Sequence, residues 1–224
     1  MAAFTGFGKD ALKFFTALKF HQSREWFEEN RALYEEGVLA PLTSLLDDLT
    51  ARFAAEKIPL RADGKRSIFR IHRDVRFAKD KSPYKTHAGA VMTRSGRKDD
   101  PGLLYIHLSP EGCFVAAGFH MPEPETLSRI RTHIKAKPKQ FDLMVAALKR
   151  GKLALNEEDS LSRLPRGFEE LKDTHYGAAV RLKSFIVEEP VSDAATRKAS
   201  LVDTVAGFAA RAMPLLKFGW ESVV

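Results

Sequence analysis

The feature that most constrains the fold is the order of two patterns along the chain. Short extended segments joined by turns fill the middle, and segments with helical periodicity lie before and after them. Residues 103–109 and 113–121, separated by the turn formers Pro110-Glu111-Gly112, predict a β-hairpin. The regular alternation of strand and helix found in doubly wound folds is not seen. The order therefore favours an α+β fold, with a mainly antiparallel sheet and helices packed on one face, in a single domain over residues 1–224.

Caps and apolar spacing mark the individual elements. Ser23 predicts the start of one helix and Asp193 the start of the last one, because both residue types accept hydrogen bonds from the first backbone N–H groups. Residues 179–188 predict another strand, and Gly118 within the hairpin indicates a bulge or a close backbone approach. An apolar stripe with i, i+3, i+4 and i+7 spacing predicts a helix packed on the sheet. Its members are Leu42, Leu45, Leu46, Leu49 and Phe53.

Positive charge is concentrated in one part of the chain. Between Arg61 and Lys98 there are twelve Lys and Arg residues and three Asp and Glu residues, a net charge of +9. The whole chain carries +7, so the remainder is slightly acidic. A local field of one sign recruits ligands of the opposite sign. An anionic ligand is therefore expected at this segment.

The centre of the basic segment, Ser67–His87, reads as a strand followed by a loop. Alternation over Ile68–Phe77 places successive side chains on opposite faces. One face holds Ile71, Arg73, Val75 and Phe77, and the other holds Arg70, His72, Asp74 and Arg76. The second face is too polar for a core, so we expect it to face water or line a cleft. Pro83 then breaks the strand.

Our first functional hypothesis is an anion-binding module that holds phosphate groups of nucleic acid or of a phosphorylated small molecule. Arginine contributes bidentate contacts to such groups, and Tyr84 could stack on a base or sugar. The position of Arg73 among apolar residues also suits a partner in the core. The candidate ligand-binding residues are Arg70, Arg73, Arg76, Lys79, Asp80, Lys81, Tyr84 and Lys85. A plainer interpretation is a solvated face whose Arg–Asp pairs fix register.

Two further hypotheses stay open. The chain could be an enzyme acting on a phosphorylated or acidic substrate, with Asp74 as a base and His72 or His87 carrying a proton. It could instead be a protein-interaction domain in which the charges are structural and exposed aromatic side chains act as anchors. The aromatic candidates are Trp26, Phe27, Phe218 and Trp220.

Several common devices are missing from the sequence. The phosphate-binding patterns G-x-x-x-x-G-K-[ST] and G-x-G-x-x-G are absent, as are H-E-x-x-H and G-x-S-x-G. The cations around His72 would repel a divalent metal, so neither a metal nor a cofactor is expected. The single cysteine, Cys113, excludes an internal disulfide and lies in an apolar run, which indicates a core residue. Without a long apolar run or a signal peptide, we expect a cytoplasmic protein with no membrane partner. The oligomeric state stays open.

Four separated motifs resemble those of one uncharacterised bacterial and fungal family, domain of unknown function 2461. They are Phe4-Thr5-Gly6-Phe7 with REWFEENRALYEEGVLAP (24–41), RIHRDVRFAKDKSPYKTH (70–87), GFHMPEPETLSRIR (118–131), and PRGF (165–168) with RLKSFIVEE (181–189). They occur in the family's order and span almost the whole chain. His72 departs from the family pattern, which has a tyrosine there. The resemblance implies a single-domain α+β protein and supplies no reaction, cofactor or catalytic residue.

Overall fold

A computed structural model describes residues 3–223. Within these residues the strands form an antiparallel sheet in the order β1-β2-β3-β4, and helices make up about 49% of the chain. The strands are β1 (Ala88–Met92), β2 (Leu103–Leu108), β3 (Cys113–Phe119) and β4 (Phe185–Val191). The helices are α1 (Asp10–Phe20), α2 (Arg24–Glu29), α3 (Arg31–Tyr34), α4 (Ala40–Ala55), α5 (Pro124–Ala136), α6 (Pro138–Arg150), α7 (His175–Arg181), α8 (Asp193–Thr196) and α9 (Leu201–Val223). The predicted α+β class with an antiparallel sheet is confirmed.

The chain divides into two compact units. One contains the residues up to Lys98 together with Tyr105–Val115 and Pro190–Gly207. The other contains Asp99–Leu104, Ala116–Glu189 and the residues from Phe208 onward. Each is described separately below, and the single domain expected from the sequence stays a prediction.

The core helix of the first unit is the one that the apolar stripe predicts. All five stripe residues lie on α4 and are buried. The predicted cap is also present, because the backbone N–H of Trp26 donates to Ser23 Oγ at 3.2 Å. In β2, buried residues alternate with partly exposed ones, among them Tyr105 and His107. That alternation is typical of a sheet with one face on the core and one more open face.

The predicted strand over Ile68–Phe77 is wrong. The segment forms only isolated bridges, Ile68 with Ala90 and His72 with Tyr84, and Phe77 is 95% exposed. Its Asp side chains compete for the backbone: Asp74 Oδ1 accepts from the N–H of Arg76 at 3.2 Å, and Asp80 Oδ1 from that of Ser82 at 2.9 Å. Such local bonds favour turns over a ladder. The result is a loose hairpin (residues 61–93) with an irregular tip (residues 74–82).

Two other element boundaries also differ from the prediction. Residues 179–181 end helix α7 rather than begin a strand; the consecutive β-branched residues that favour a strand, Ile186 and Val187, come only in β4. The predicted cap at Asp193 is displaced as well. Ser192 Oγ accepts from the N–H of Ala195 at 3.2 Å and caps the short helix α8, and the last helix begins at Leu201. The chain therefore turns once more before its final helix.

Two expectations concern single features of the molecule. Cys113 is buried and its thiol donates to the carbonyl oxygen of Ser109 at 3.4 Å, as expected for a core residue. Burial also raises the pKa of this thiol, which makes it a poor nucleophile. Among residues 3–223, none of the helices has the length and apolar character needed to cross a membrane.

Candidate anion-binding site

The loose hairpin is held by a few well-formed backbone hydrogen bonds. At its base, Arg61 and Thr93 exchange two bonds of 2.9 and 3.1 Å. Further along, the N–H of Phe69 donates to the carbonyl of Gly89, and that of Lys85 donates to the carbonyl of Ile71, both at 2.8 Å. A short 3₁₀ turn at Gly64–Ser67 lies between these pairs. This pairing places Lys65, Arg70 and Lys85 along one groove, which is described next.

A groove of about 560 Å³ lies between the loose hairpin and a helical wall. The wall is a π-helical turn, Glu35–Leu39, with the residues just before it; such turns are common at functional sites. The volume is in the range of small-molecule sites, about 300–1,000 Å³. Six basic or histidine side chains line the groove: Arg31, Lys65, Arg70, His72, Lys85 and Lys98. Glu35 is its one acidic lining residue.

Most of the groove's cations lack an acidic partner. Arg31 is paired, since it donates to Glu28 at 2.6 and 2.9 Å. Within residues 3–223, by contrast, no carboxylate lies within ion-pair distance of Lys65, Arg70, Lys85 or Lys98. We call these four side chains the groove cations. Their charges are balanced by solvent ions or by a ligand.

The ring of Phe69 brings two of the groove cations together. Lys98 Nζ lies 4.8 Å from the ring centroid and also donates to the carbonyl oxygen of Ile68 at 2.5 Å. Lys85 Nζ lies 5.5 Å from the same centroid. Burial lowers the pKa of Lys85, with a further contribution from Arg70, and burial with the charge of Lys85 lowers that of Lys98. A bound anion would relieve this mutual repulsion.

The tip of the loose hairpin uses its charges internally. Arg76 donates to both oxygens of Asp74, at 3.0 and 2.7 Å, and Arg73 is ion-paired with Asp80. Lys81 Nζ donates to the carbonyl of Val75 at 3.0 Å. These contacts match the plainer interpretation of an ion-pair network that shapes a loop. Lys79 is exposed on the same tip and does not line the groove.

Tyr84 lies beneath the groove rather than at its surface. It is 3% exposed, and its ring stacks on Phe27 with centroids 4.5 Å apart. Its backbone N–H donates to Gln22 Oε1 at 3.0 Å. A base or sugar could stack on this ring only by displacing Phe27, so the geometry favours a structural role.

The three candidate catalytic residues do not form one cluster. His72 lines the groove, whereas Asp74 is engaged at the tip, where hydrogen bonds from Arg76 lower its pKa. A carboxyl group with a lowered pKa is a weaker base. His87 lies instead against His107 of β2, with ring centroids 4.6 Å apart.

This histidine pair was not predictable from spacing. His107 Nδ1 is hydrogen-bonded to the hydroxyl of Tyr105 at 2.9 Å, and its ring stacks on Phe114. Burial, with a smaller contribution from His87, lowers the pKa of His107 to about 4. Burial and then Lys85 also lower the pKa of His87. Both imidazoles are therefore neutral near pH 7.

The aromatic anchors of the interaction hypothesis are largely buried. Phe27, Phe218 and Trp220 are at most 5% exposed, and the indole N–H of Trp220 donates to the carbonyl of Pro101 at 2.8 Å. Trp26 is half-buried and stacks on His21. The hypothesis that these side chains are exposed anchors is wrong for Phe27, Phe218 and Trp220. Aromatic residues on these helices fill the core.

Sequence reasoning included Arg70 and Lys85 but missed Lys65, Lys98 and Arg31. The first two misses lie within the basic segment, so the charge count already contained them. Arg31 comes from a helix far away in the sequence, and no local pattern linked it to the loose hairpin. Residues 3–223 contain no group of three or more His, Cys, Asp or Glu side chains that could hold a metal ion.

The fold is α+β, and it contains a groove lined by basic and apolar side chains. Comparison with protein families adds an assignment: a family model described as "Conserved hypothetical protein (DUF2461)" matches residues 10–218. The chain belongs to this family, as the four motifs indicated. No curated protein matches the chain, and no solved structure does.

Proposed function

We propose that the basic groove binds an anionic ligand and that the groove contacts the phosphate groups of this ligand. The observation that carries this proposal is the set of groove cations, Lys65, Arg70, Lys85 and Lys98, which lack a carboxylate partner within residues 3–223. Burial first, and a neighbouring cation second, lowers the pKa of Lys85 and of Lys98, so their charged forms raise the free energy of the unliganded protein. An anion that binds them recovers this free energy as affinity.

The proposal places the site at the groove rather than along the whole basic segment. Arg73, Arg76 and Lys81 already have partners at the tip, so binding a ligand there would first break protein contacts. Among residues 3–223, neither Arg70 nor Lys85 has a carboxylate within ion-pair distance, and the contact of Lys85 with the ring of Phe69 leaves its charge uncompensated. Catalysis is not part of the proposal, because Asp74 and His87 lie away from the groove lining.

Two double variants with equal charge loss separate the groove from the tip. Inorganic pyrophosphate, titrated by calorimetry at low and moderate salt, is the probe. In Lys85→Gln/Lys98→Gln we expect at least about a tenfold loss of affinity, because charge-assisted contacts contribute about 1.5–3 kcal/mol each. The control Lys79→Gln/Lys81→Gln removes the same charge at the tip and should stay within about threefold of wild type.

Salt and the control variant decide the outcome. Binding through phosphate should weaken as salt increases, because charge–charge contacts are screened. Equal loss in the two double variants would indicate a general field effect rather than a groove site. Absence of pyrophosphate binding at low salt would refute the proposal.

The lowered lysine pKa values predict a pH dependence. A lysine carries its charge below its pKa, so Lys85 and Lys98 lose charge at lower pH than a lysine with the ordinary pKa of 10.5. As pH rises toward 10.5, pyrophosphate affinity should therefore begin to fall at a lower pH than it would if both lysines had the ordinary lysine pKa. The variant Lys85→Arg/Lys98→Arg should keep its affinity over the same range, because arginine stays protonated. The same decline in both proteins would contradict this explanation.

A further inference from the structure

The aromatic rings of the groove are poorly placed to stack on a flat ligand. Phe27 and Tyr34 are buried, 2% and 9% exposed. Phe69 is more open, but two lysine ammonium groups lie 4.8 and 5.5 Å from its centroid. Proteins that bind nucleobases without sequence specificity present exposed aromatic faces on which the bases stack. This groove therefore presents positive charge to a ligand, while its aromatic rings contact other groups of the protein.

The number of groove cations exceeds what one phosphate group can neutralise. A phosphate monoester carries about −1.5 to −2 at neutral pH. Four cations without a carboxylate partner among residues 3–223 therefore match at least two phosphates. Lys85 and Lys98 lie against the same ring, 5.5 and 4.8 Å from the centroid of Phe69, and Arg70 lines the same groove. Linked phosphates would meet several of these charges at once.

We infer that the groove takes a chain of two or more linked phosphates and recognises it by charge, without contacting a nucleobase. The ligand class is a condensed phosphate, either free or as the phosphate tail of a nucleotide whose base stays outside the groove. This inference rests on the proposed function, because it names the ligand of the same groove.

A ligand series tests the inference on the wild-type protein. Calorimetric titrations use tripolyphosphate, ATP, AMP and adenosine in magnesium-free buffer. We expect tripolyphosphate and ATP to bind within about threefold of each other, and AMP at least about tenfold more weakly, because it offers fewer charge-assisted contacts. Adenosine should not bind. AMP or adenosine binding as tightly as ATP, or ATP binding more than about tenfold tighter than tripolyphosphate, would overturn the inference.

The variant Phe69→Leu adds an independent measurement. Leucine keeps an apolar side chain but removes the ring. Loss of the lysine–ring contacts should lower the binding affinities for ATP and for tripolyphosphate by the same factor. A selective loss of ATP affinity would show base stacking and overturn the inference. If only the inference about linked phosphates is wrong, pyrophosphate still binds at the groove. If the proposed function itself is wrong, no phosphate compound binds there.

Discussion

Replacing Gly118 with alanine should destabilise the protein more than any other single methyl addition that we consider. Gly118 lies in β3 at φ +134°, a backbone conformation that L side chains rarely adopt. An added Cβ would lie 2.0 Å from the carbonyl oxygen of Phe185 and 2.9 Å from the Cα of Ile186, both in β4. These are backbone atoms that cannot rotate away. Strain and overlap together should lower the free energy of unfolding by at least about 3 kcal/mol.

Urea denaturation followed by tryptophan fluorescence measures this change. At this chain length the loss corresponds to a fall in Tm of roughly 6–12 °C. The control is Gly37→Ala, since Gly37 lies in the π-helical turn and an added Cβ there meets no atom within 4 Å. We expect that variant to match wild type or to gain up to about 1 kcal/mol. Wild-type stability in Gly118→Ala would show that β3 and β4 do not approach as closely as described.

The same physical reason accounts for glycine in two of the family-like motifs. Gly118 opens the motif over residues 118–131, and Gly6 belongs to the motif Phe4-Thr5-Gly6-Phe7. Gly6 has φ +111°, and a Cβ there would lie 2.3 Å from the carbonyl oxygen of Arg197. The sequence indicated a close approach at Gly118, because glycine within a strand is otherwise unfavourable. It could not indicate which backbone lies opposite.

Hydrophobic periodicity predicted the helices and strands that bury one face along their length. The stripe on α4 and the β2–β3 hairpin each bury one face, so their sequences carry the period of that face. The segment 68–77 also alternates, yet it is not a strand. Asp74 within this segment and Asp80 just after it accept from backbone N–H groups two residues ahead, and this local effect is not visible in the hydrophobic pattern.

The candidate site was predicted as a region rather than as a set of contacts. Net charge can be read from the sequence because it is a sum over residues and needs no geometry. Dividing that charge between groove and tip required the positions of Asp74 and Asp80, which neutralise Arg76 and Arg73. Arg31 joins the groove from a distant helix. Contacts of that kind depend on tertiary packing.

The histidine pair predicts a loss of stability in weak acid. His107 has a pKa of about 4 in the folded protein, against 6.5 for an ordinary histidine. Between these pH values the unfolded chain binds a proton that the folded chain does not, so stability falls as pH falls. Because His107 keeps partial contact with solvent, we expect its titration to remove roughly 1–2 kcal/mol between about pH 7.5 and pH 5. The loss levels off below the folded pKa.

The variant His107→Gln isolates this effect, since glutamine cannot titrate and its amide oxygen can still accept from Tyr105. Urea denaturation at pH 7.5 and pH 5 gives the free energy of unfolding at each pH. The difference between the two values should be smaller for the variant than for wild type. Part of the wild-type difference should remain, because the pKa of His87 is lowered by burial and by Lys85. His120→Gln, at an exposed position after β3, should keep the full wild-type difference. Equal differences in wild type and His107→Gln would mean that the acid sensitivity arises elsewhere in the protein.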